Sequence, residues 1–162
     1  MINAERLCGH LDGEFSVFLI GMRVNRYWKL HKWVPVILAM ARMIKELRTT
    51  PDSGLLSYEM WFGRTTIMVQ YWRSSEQLLA YAKNQDAAHY PSWRAFNRSV
   101  SSNGDVGIWH ETYLIPAGAY EAMYVNMPAF GLGRAGKLLP ATGSRATAAG
   151  RLQGDAIVES DG

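Results

Sequence analysis

The sequence predicts an α+β protein with a ferredoxin-like split βαβ fold, in which helices cover one face of a four-stranded antiparallel sheet. Three observations lead to this prediction. Between Phe15 and Ile115, segments of strand and helix character alternate as strand, helix, strand, strand, helix, strand. The second and third strands are separated by a short turn at Gly63 and Arg64, which indicates a hairpin. The length of 162 residues suits one domain of this kind.

The first strand and helix of this pattern occupy residues 15–47. The strand "FSVFLIGMRV", Phe15–Val24, is apolar on both alternating faces, as expected for a strand buried on two sides. Pro35 is best accommodated in the first turn of a helix, so a helix is predicted from Val34 to Leu47. The turn-forming segment "TTPDSG" ends that helix.

The hairpin, the second helix and the last strand follow. "LLSYEMWF" and "TTIMVQYW" form the hairpin. Ser74 and Gln77 make a capping-box pattern that opens a helix through "SSEQLLAYAKN", and Pro91 begins a further helical stretch. The last strand is "GDVGIWHETYLIP", Gly104 to Pro116. Residues 1–14 are interpreted as an N-terminal arm, 15–136 as the domain, and 137–162, which are small, polar and aperiodic, as a disordered tail.

Composition suggests a setting inside the cell. The single cysteine, Cys8, excludes an internal disulfide framework. The first residues do not resemble a secretory signal, and the longest apolar run, Val34 to Ala41, is less than half of the roughly 20 residues that span a bilayer. The expectation is a cytoplasmic protein with no stable membrane insertion.

Charge is concentrated in one segment. Between Arg23 and Arg48 there are seven basic residues and one acid, Glu46. Such a segment attracts an acidic protein, an anionic substrate or a membrane surface, or is simply a solvated helix face. Nucleic acid is not an expected partner, because no nucleic-acid-binding module accompanies the charge.

The sheet face without helices is expected to be rich in Met, Trp and Tyr. A second copy of the chain is the expected cover, which would make a homodimer whose paired sheets close into a barrel. The 6 Trp and 8 Tyr residues also suit an aromatic-lined cavity.

Several segments resemble a known family: "VFLIGMRVN", "GLLSYE", "VQYWRSSEQLLAYA", "HYPSWRAFN", "GDVGIWHETY" and "YVNMPAFGLGRAG". The family is one of dimeric α/β-barrel proteins grouped with the monooxygenase of fumagillin biosynthesis and, more distantly, with antibiotic-biosynthesis monooxygenases. The resemblance implies a homodimer with a pocket between sheet and helices. In related families such pockets carry out cofactor-independent oxygenation, heme degradation or heme-dependent reactions, aldoxime dehydration among them. Fold analogy alone does not choose between these.

The conspicuous pair His110 and Glu111 lies in the last strand. Because strand side chains alternate, the two point to opposite faces and are not expected to act as a dyad. His110 is a candidate general base or heme ligand, or else a buried histidine held by one hydrogen bond. Glu111 is interpreted as structural, paired with Arg23 or Arg64.

His89 is preferred to His110 as the candidate base, since it precedes Pro91 at a break between helical segments, where a side chain can point into the space between helix and sheet. The resemblance to heme-degrading relatives implies that Asn25, Trp72 and His89 occupy loosely comparable positions to their asparagine, tryptophan and histidine. Substrate contacts are predicted for six aromatic or apolar residues: Tyr58, Trp61, Met68, Tyr71, Trp72 and Trp93.

Other site types lack a pattern in the sequence. No ligand set for a mononuclear metal, no nucleophile elbow and no glycine-rich phosphate loop is evident. Three hypotheses remain: a monooxygenase-like enzyme acting on a small hydrophobic or aromatic secondary metabolite without a bound cofactor, a heme enzyme of the same fold, and a non-catalytic dimer that binds a hydrophobic ligand.

Overall fold

The structure is a computed structural model, and it describes residues 2–87, 90–91, 94 and 104–152. In chain order its helices and strands are β1 (Asn3–His10), β2 (Phe15–Val24), α1 (Leu30–Thr49), β3 (Leu55–Trp61), β4 (Ile67–Trp72), α2 (Ser75–Lys83), β5 (Val106–Ile115), β6 (Met123–Met127), α3 (Leu132–Ala135), β7 (Lys137–Pro140), a 3-10 turn (Gly143–Ala146) and α4 (Ala148–Leu152).

The main sheet has the strand order β3-β4-β2-β5, and every neighbouring pair in it is antiparallel. This is the order of a ferredoxin-like sheet, with the hairpin on one side and the last strand on the other. The predicted fold class is therefore confirmed. The main sheet does not close into a barrel within the chain: β3 and β5 are its two edges.

Helix α1 begins four residues earlier than the sequence predicts, and Pro35 lies inside it. The early start is stabilised by tertiary contacts that periodicity does not reveal. The Trp33 indole N–H donates to the Tyr27 carbonyl at 3.0 Å. Trp33, Val36 and Ile37 pack against the cluster of Met22, Val24 and Val106, and this burial outweighs the cost of a proline within the helix.

Helix α2 begins as the capping pattern predicts. The Ser74 hydroxyl accepts a hydrogen bond from the Gln77 backbone N–H at 3.2 Å. The Gln77 side chain does not complete the capping box, because its Oε1, the atom that would accept from the Ser74 backbone N–H, has no hydrogen-bond partner among the described residues. Its amide group donates to the Asp52 carbonyl at 3.3 Å. The main core lies between the two helices and the main sheet, and its buried members are Met43, Ile44, Leu47, Met68, Trp72 and Leu78.

The two ends of the chain form a second sheet, of order β6-β1-β7. Leu7 pairs with Tyr124 on one side and with Pro140 on the other, and both Leu7 and Cys8 are buried. The sequence analysis interprets residues 1–14 as an arm and 137–162 as a disordered tail, whereas β1 and β7 lie in these two segments as paired strands. The pairing partners are more than a hundred residues apart in sequence, so local composition does not reveal them.

The second sheet and the turn before α3 cover part of the main sheet's outer face, the face away from α1 and α2. The Phe15 ring meets the Tyr120 ring edge to face at 5.3 Å between centroids. The Ser57 hydroxyl donates to the Gly131 carbonyl at 3.1 Å. The chain itself therefore occupies a portion of the surface that the sequence analysis assigns to a second copy. Among the described helices, none has the length and apolar character needed to cross a membrane.

Candidate functional site

His110 lies on the helix-facing side of β5. Its partner across the strand pair is Ile20, and its ring centroid is 5.8 Å from that of Phe18. Phe18 and Ile20 both pack against the main core beneath the helices. The His110 side chain is itself exposed, as are Ile108 and Leu114 on the same side of the strand. An imidazole with aromatic and aliphatic neighbours and an open approach is suited to bind and deprotonate an apolar molecule.

Glu111 points to the opposite face, where its partner across the strand pair is Leu19. The prediction that His110 and Glu111 do not form a dyad is confirmed. The predicted ion pair of Glu111 with an arginine is wrong. Its carboxylate accepts a hydrogen bond from the Tyr113 hydroxyl at 2.6 Å, which raises the pKa of Tyr113. Arg23 lies opposite Gly107, four residues away along β5, so it does not reach Glu111.

Asn25 is half-buried in the loop after β2, where its backbone N–H donates to the Asp105 carbonyl at 3.1 Å. The Asp105 carboxylate, 1% exposed, accepts hydrogen bonds from Lys29 at 2.8 and 2.9 Å and from Arg26 at 2.8 Å. These contacts fix the loop that carries Asn25 against the start of β5. Sequence reasoning did not identify Asp105, because its partners lie more than seventy residues away.

Met68 and Trp72 lie on the helix-facing side of β4, but inside the core rather than on an open surface. Both are almost completely buried. The Trp72 indole N–H donates to the Gln70 side-chain oxygen at 2.9 Å, and the Gln70 amide donates to the Met68 sulfur at 3.0 Å. This hydrogen-bonded row satisfies the polar atoms of Gln70 in an apolar surrounding.

Trp61 and Tyr71 lie on the outer face, so they share no surface with Met68 and Trp72. The Trp61 ring is 5.9 Å from that of Phe130. Tyr71 lies under the turn at Gly131. A Cβ added at Gly131 would be 3.1 Å from the Tyr71 hydroxyl oxygen. Burial raises the pKa of the Tyr71 phenol, with smaller contributions from Tyr124 and Glu59. Those predicted substrate contacts that the structure describes therefore do not all lie on one surface of a single chain.

Tyr58 is half-buried on the helix-facing side of edge strand β3 and lines two clefts there. One cleft, of about 570 Å³, is polar and includes three arginines: Arg48, Arg73 and Arg134. The other, of about 580 Å³, is mainly apolar and lies between α1 and β3, where Ala41, Ile44, Met60 and Phe62 line it. Tyr58 is thus separated from His110 by the width of the main sheet, since β3 and β5 are its opposite edges.

His89 and Trp93 lie outside the described residues, so their predicted roles stay predictions. The relation of His89 to His110 and to the Asn25 and Trp72 positions is likewise not described. Phe18, which the sequence analysis did not single out, is the ring that contacts His110. The strand alternation of "FSVFLIGMRV" places it on the same side as Ile20.

Within the described part of the chain, no group of three His, Cys, Asp or Glu side chains is positioned to hold a metal ion. Histidine is a residue type that holds heme iron. The exposed imidazole of His110 lies on the same side of β5 as the exposed side chains of Ile108 and Leu114, so apolar surface is present beside it.

Comparison with known proteins identifies the family. A family model described as monooxygenase af470-like matches residues 15–132. The curated protein monooxygenase af470 of Aspergillus fumigatus is 34% identical over an alignment of 135 positions that covers 75% of this chain and 46% of that protein. This chain therefore spans less than half the length of that relative.

One solved structure supports the fold. A crystal structure of an aldoxime dehydratase in complex with butyraldoxime has a TM-score of 0.66 at 14% identity, and the match covers 83% of this chain and 39% of that one. A conserved protein from Bacteroides thetaiotaomicron has a TM-score of 0.43 at 14% identity, covering 65% of this chain and 100% of that one. From the family model and the identity to a curated member, the chain belongs to the monooxygenase af470-like family.

Proposed function

We propose that this chain is a monooxygenase-like enzyme that acts on a small hydrophobic or aromatic metabolite bound on the helix-facing side of β5. One observation carries the proposal: His110 is an exposed imidazole on that side, with the Phe18 ring 5.8 Å away and apolar neighbours along the strand. Membership in the monooxygenase af470-like family supports oxygenase chemistry.

In this proposal His110 is the general base. It removes a proton from an acidic C–H or O–H of the substrate, while the Phe18 ring and the aliphatic side chains along β5 hold the apolar part of the substrate beside the imidazole. The anion transfers an electron to dioxygen, the two radicals combine as a peroxide, and the peroxide collapses to a ketone or quinone and water. The sum is RH₂ + O₂ → R=O + H₂O, so no external reductant is consumed.

Hydrogen bonds from Asn25 or Tyr58 are proposed to orient the substrate or stabilise developing charge. Asn25 follows β2, the strand beside β5, and is held in place through Asp105. Tyr58 lies on β3, at the opposite edge of the main sheet from β5. It would therefore contact only a substrate long enough to extend from β5 to β3. His89 is retained as the alternative base.

An oxygen electrode tests this function. Anthrone and 1,8-dihydroxyanthrone are suitable probes, because each has an acidic CH₂ group that becomes the C=O of an anthraquinone when one oxygen atom of O₂ is incorporated and the other leaves as water. The purified protein is expected to accelerate oxygen uptake and quinone formation above the spontaneous rate. His110→Ala should lower the turnover number at least about tenfold, whereas His31→Ala, an exposed histidine of α1, should leave it unchanged. Thermal stabilisation by these probes without oxygen uptake or product would favour a non-catalytic binding protein instead.

A heme enzyme is the second candidate, because the fold matches that of the aldoxime dehydratase. Heme would supply a metal centre that could bind the reacting group, and His110 or His89 would hold the heme iron. Hemin titration tests this. The wild type should develop a Soret band that His110→Ala or His89→Ala abolishes and His31→Ala retains. A protein that never shifts the hemin spectrum removes this candidate.

A homodimer is the proposed assembly. The part of the outer face that the second sheet leaves open includes Val17, Leu19 and Val69, which are half-buried, and Tyr113, which is exposed. A second copy would remove this surface from water. Sedimentation velocity should show a dimer that Leu19→Lys converts to a monomer, and a monomeric wild type would overturn the proposal.

A further inference from the structure

Four exposed apolar side chains lie at one end of the main sheet. Tyr27, Trp28 and Leu30 follow β2 and are 51%, 76% and 56% exposed, while Phe62 follows β3 and is 73% exposed. We call these four residues the aromatic end. The two loops that carry them are adjacent, since Arg23 bridges to Thr65 and the Val24 backbone N–H donates to the Arg64 carbonyl at 2.9 Å.

The loop of the aromatic end is held in one conformation by hydrogen bonds. The backbone N–H groups of Asn25 and Arg26 donate to the Asp105 carbonyl, and the Trp33 indole donates to the Tyr27 carbonyl. Trp28 lies between these anchors. The backbone on both sides of Trp28 is therefore fixed by hydrogen bonds, and the Trp28 side chain is exposed in this fixed loop. Large exposed apolar side chains grouped in this way mark interaction sites.

The residues around the aromatic end give this surface a positive charge. Residues 23–33 and 61–66 contain no aspartate or glutamate. The carboxylate that does reach this loop, Asp105, is already paired with Arg26 and Lys29. Lys32 and Arg64 form no salt bridge with a carboxylate among the described residues, and Arg42 and Lys45 add basic side chains along the exposed side of α1.

From this combination we infer that the aromatic end docks the protein on the surface of an anionic lipid bilayer. Tryptophan and tyrosine prefer the headgroup level of a membrane, and leucine and phenylalanine enter the acyl boundary below it. Lysine and arginine beside them are attracted by anionic headgroups. A bilayer that contains anionic lipids offers both an acyl boundary for the apolar tips and negative charge for the lysine and arginine side chains beside them.

This attachment is peripheral. It uses side chains on two loops and the first turn of α1, and it needs no spanning helix. It is independent of the reaction proposed for His110, which lies on the body of β5.

Vesicle co-sedimentation of the full chain tests the inference. The protein should sediment with phosphatidylcholine vesicles that contain phosphatidylserine, less with pure phosphatidylcholine, and less at high salt. Trp28→Ser and Leu30→Ser should each lower the partition coefficient roughly tenfold, since each removes an inserting side chain. Leu79→Ser, at 52% exposure on α2, is the matched control and should bind as the wild type does.

The electrostatic part is tested separately. Arg64→Gln should weaken binding to the anionic vesicles roughly fivefold and leave binding to phosphatidylcholine unchanged, whereas Lys83→Gln on α2 should change neither. Circular dichroism establishes that each variant is folded. The inference is overturned if folded wild type does not bind anionic vesicles, if Leu30→Ser and Leu79→Ser bind equally, or if Trp28→Ser dissociates a wild-type dimer, since the aromatic end would then be a protein interface.

Discussion

The Lys29 ammonium and the Asp105 carboxylate form a buried contact at 2.8 and 2.9 Å that joins the end of β2 to the start of β5. Asp105 is 1% exposed and also receives the Arg26 guanidinium. A buried carboxylate is tolerated only with such partners. This contact therefore fixes the loop on which Asn25 and the aromatic end depend.

Asp105→Asn should destabilise the protein, because it leaves two cations facing a neutral amide. We expect a thermal midpoint several degrees below that of the wild type, measured by circular dichroism. Asp52→Asn is the matched control. Asp52 is exposed and has a φ of 55°, a conformation that asparagine adopts equally well, so its midpoint should not move. Equal midpoints for Asp105→Asn and wild type would show that the contact contributes no stability.

The same contact predicts a pH dependence. The hydrogen bond from Lys29 lowers the pKa of Asp105 below its ordinary 3.8, and the charges of Lys29 and Arg26 add to this against the opposing effect of burial. Because the unfolded chain takes up the proton first, the stabilisation is complete above about pH 4 and is lost as the pH falls through the lowered pKa. Urea midpoints of wild type and Asp105→Asn should therefore converge in acid. If the difference between the two urea midpoints is the same at every pH, the pH dependence does not come from Asp105.

Gly21 is predicted to be irreplaceable by alanine. A Cβ at this position would lie 2.0 Å from the Thr66 carbonyl oxygen and 2.7 Å from the Trp109 indole nitrogen. Gly21→Ala should lower the free energy of unfolding by about 3 kcal/mol, measured by urea denaturation. Gly107→Ala is the matched control on the neighbouring strand, where the nearest atom would be at 3.7 Å. The account fails if the two variants are equally stable.

The row formed by Gln70 and Trp72 should show coupling in a double-mutant cycle. Gln70→Leu leaves the Trp72 indole N–H buried without an acceptor and should cost about 2 kcal/mol of unfolding free energy. Trp72→Phe removes that donor. In the Trp72→Phe background, Gln70→Leu should lower the free energy of unfolding by about 1 kcal/mol less than it does in the wild type. Additive effects would mean that the 2.9 Å hydrogen bond has no net influence on stability.

Much of the fold is predictable from the sequence because it depends on local patterns. The alternation in β2, the turn at Gly63 and Arg64, and the Ser74 cap all indicate the correct elements. The start of α1 is not predictable in this way, since packing of Trp33 outweighs the usual position of a proline such as Pro35. The pairing of β1 with β6 and β7 is also missed, because it is a long-range contact without a local signal.

The candidate site is predictable only in part. Strand alternation correctly separates His110 from Glu111. It does not show that Met68 and Trp72 are sealed in the core, or that the Gly131 turn covers Tyr71, because both follow from how distant segments pack.

The central claim is that the helix-facing side of β5 carries the chemistry. Its most direct test is kcat/KM for oxygen-dependent turnover in two variants at adjacent positions, His110→Ala and Glu111→Gln, whose side chains point to opposite faces. The account predicts a loss of at least about tenfold for His110→Ala and an unchanged value for Glu111→Gln. Full turnover in folded His110→Ala, or an equal loss in both variants, would contradict it.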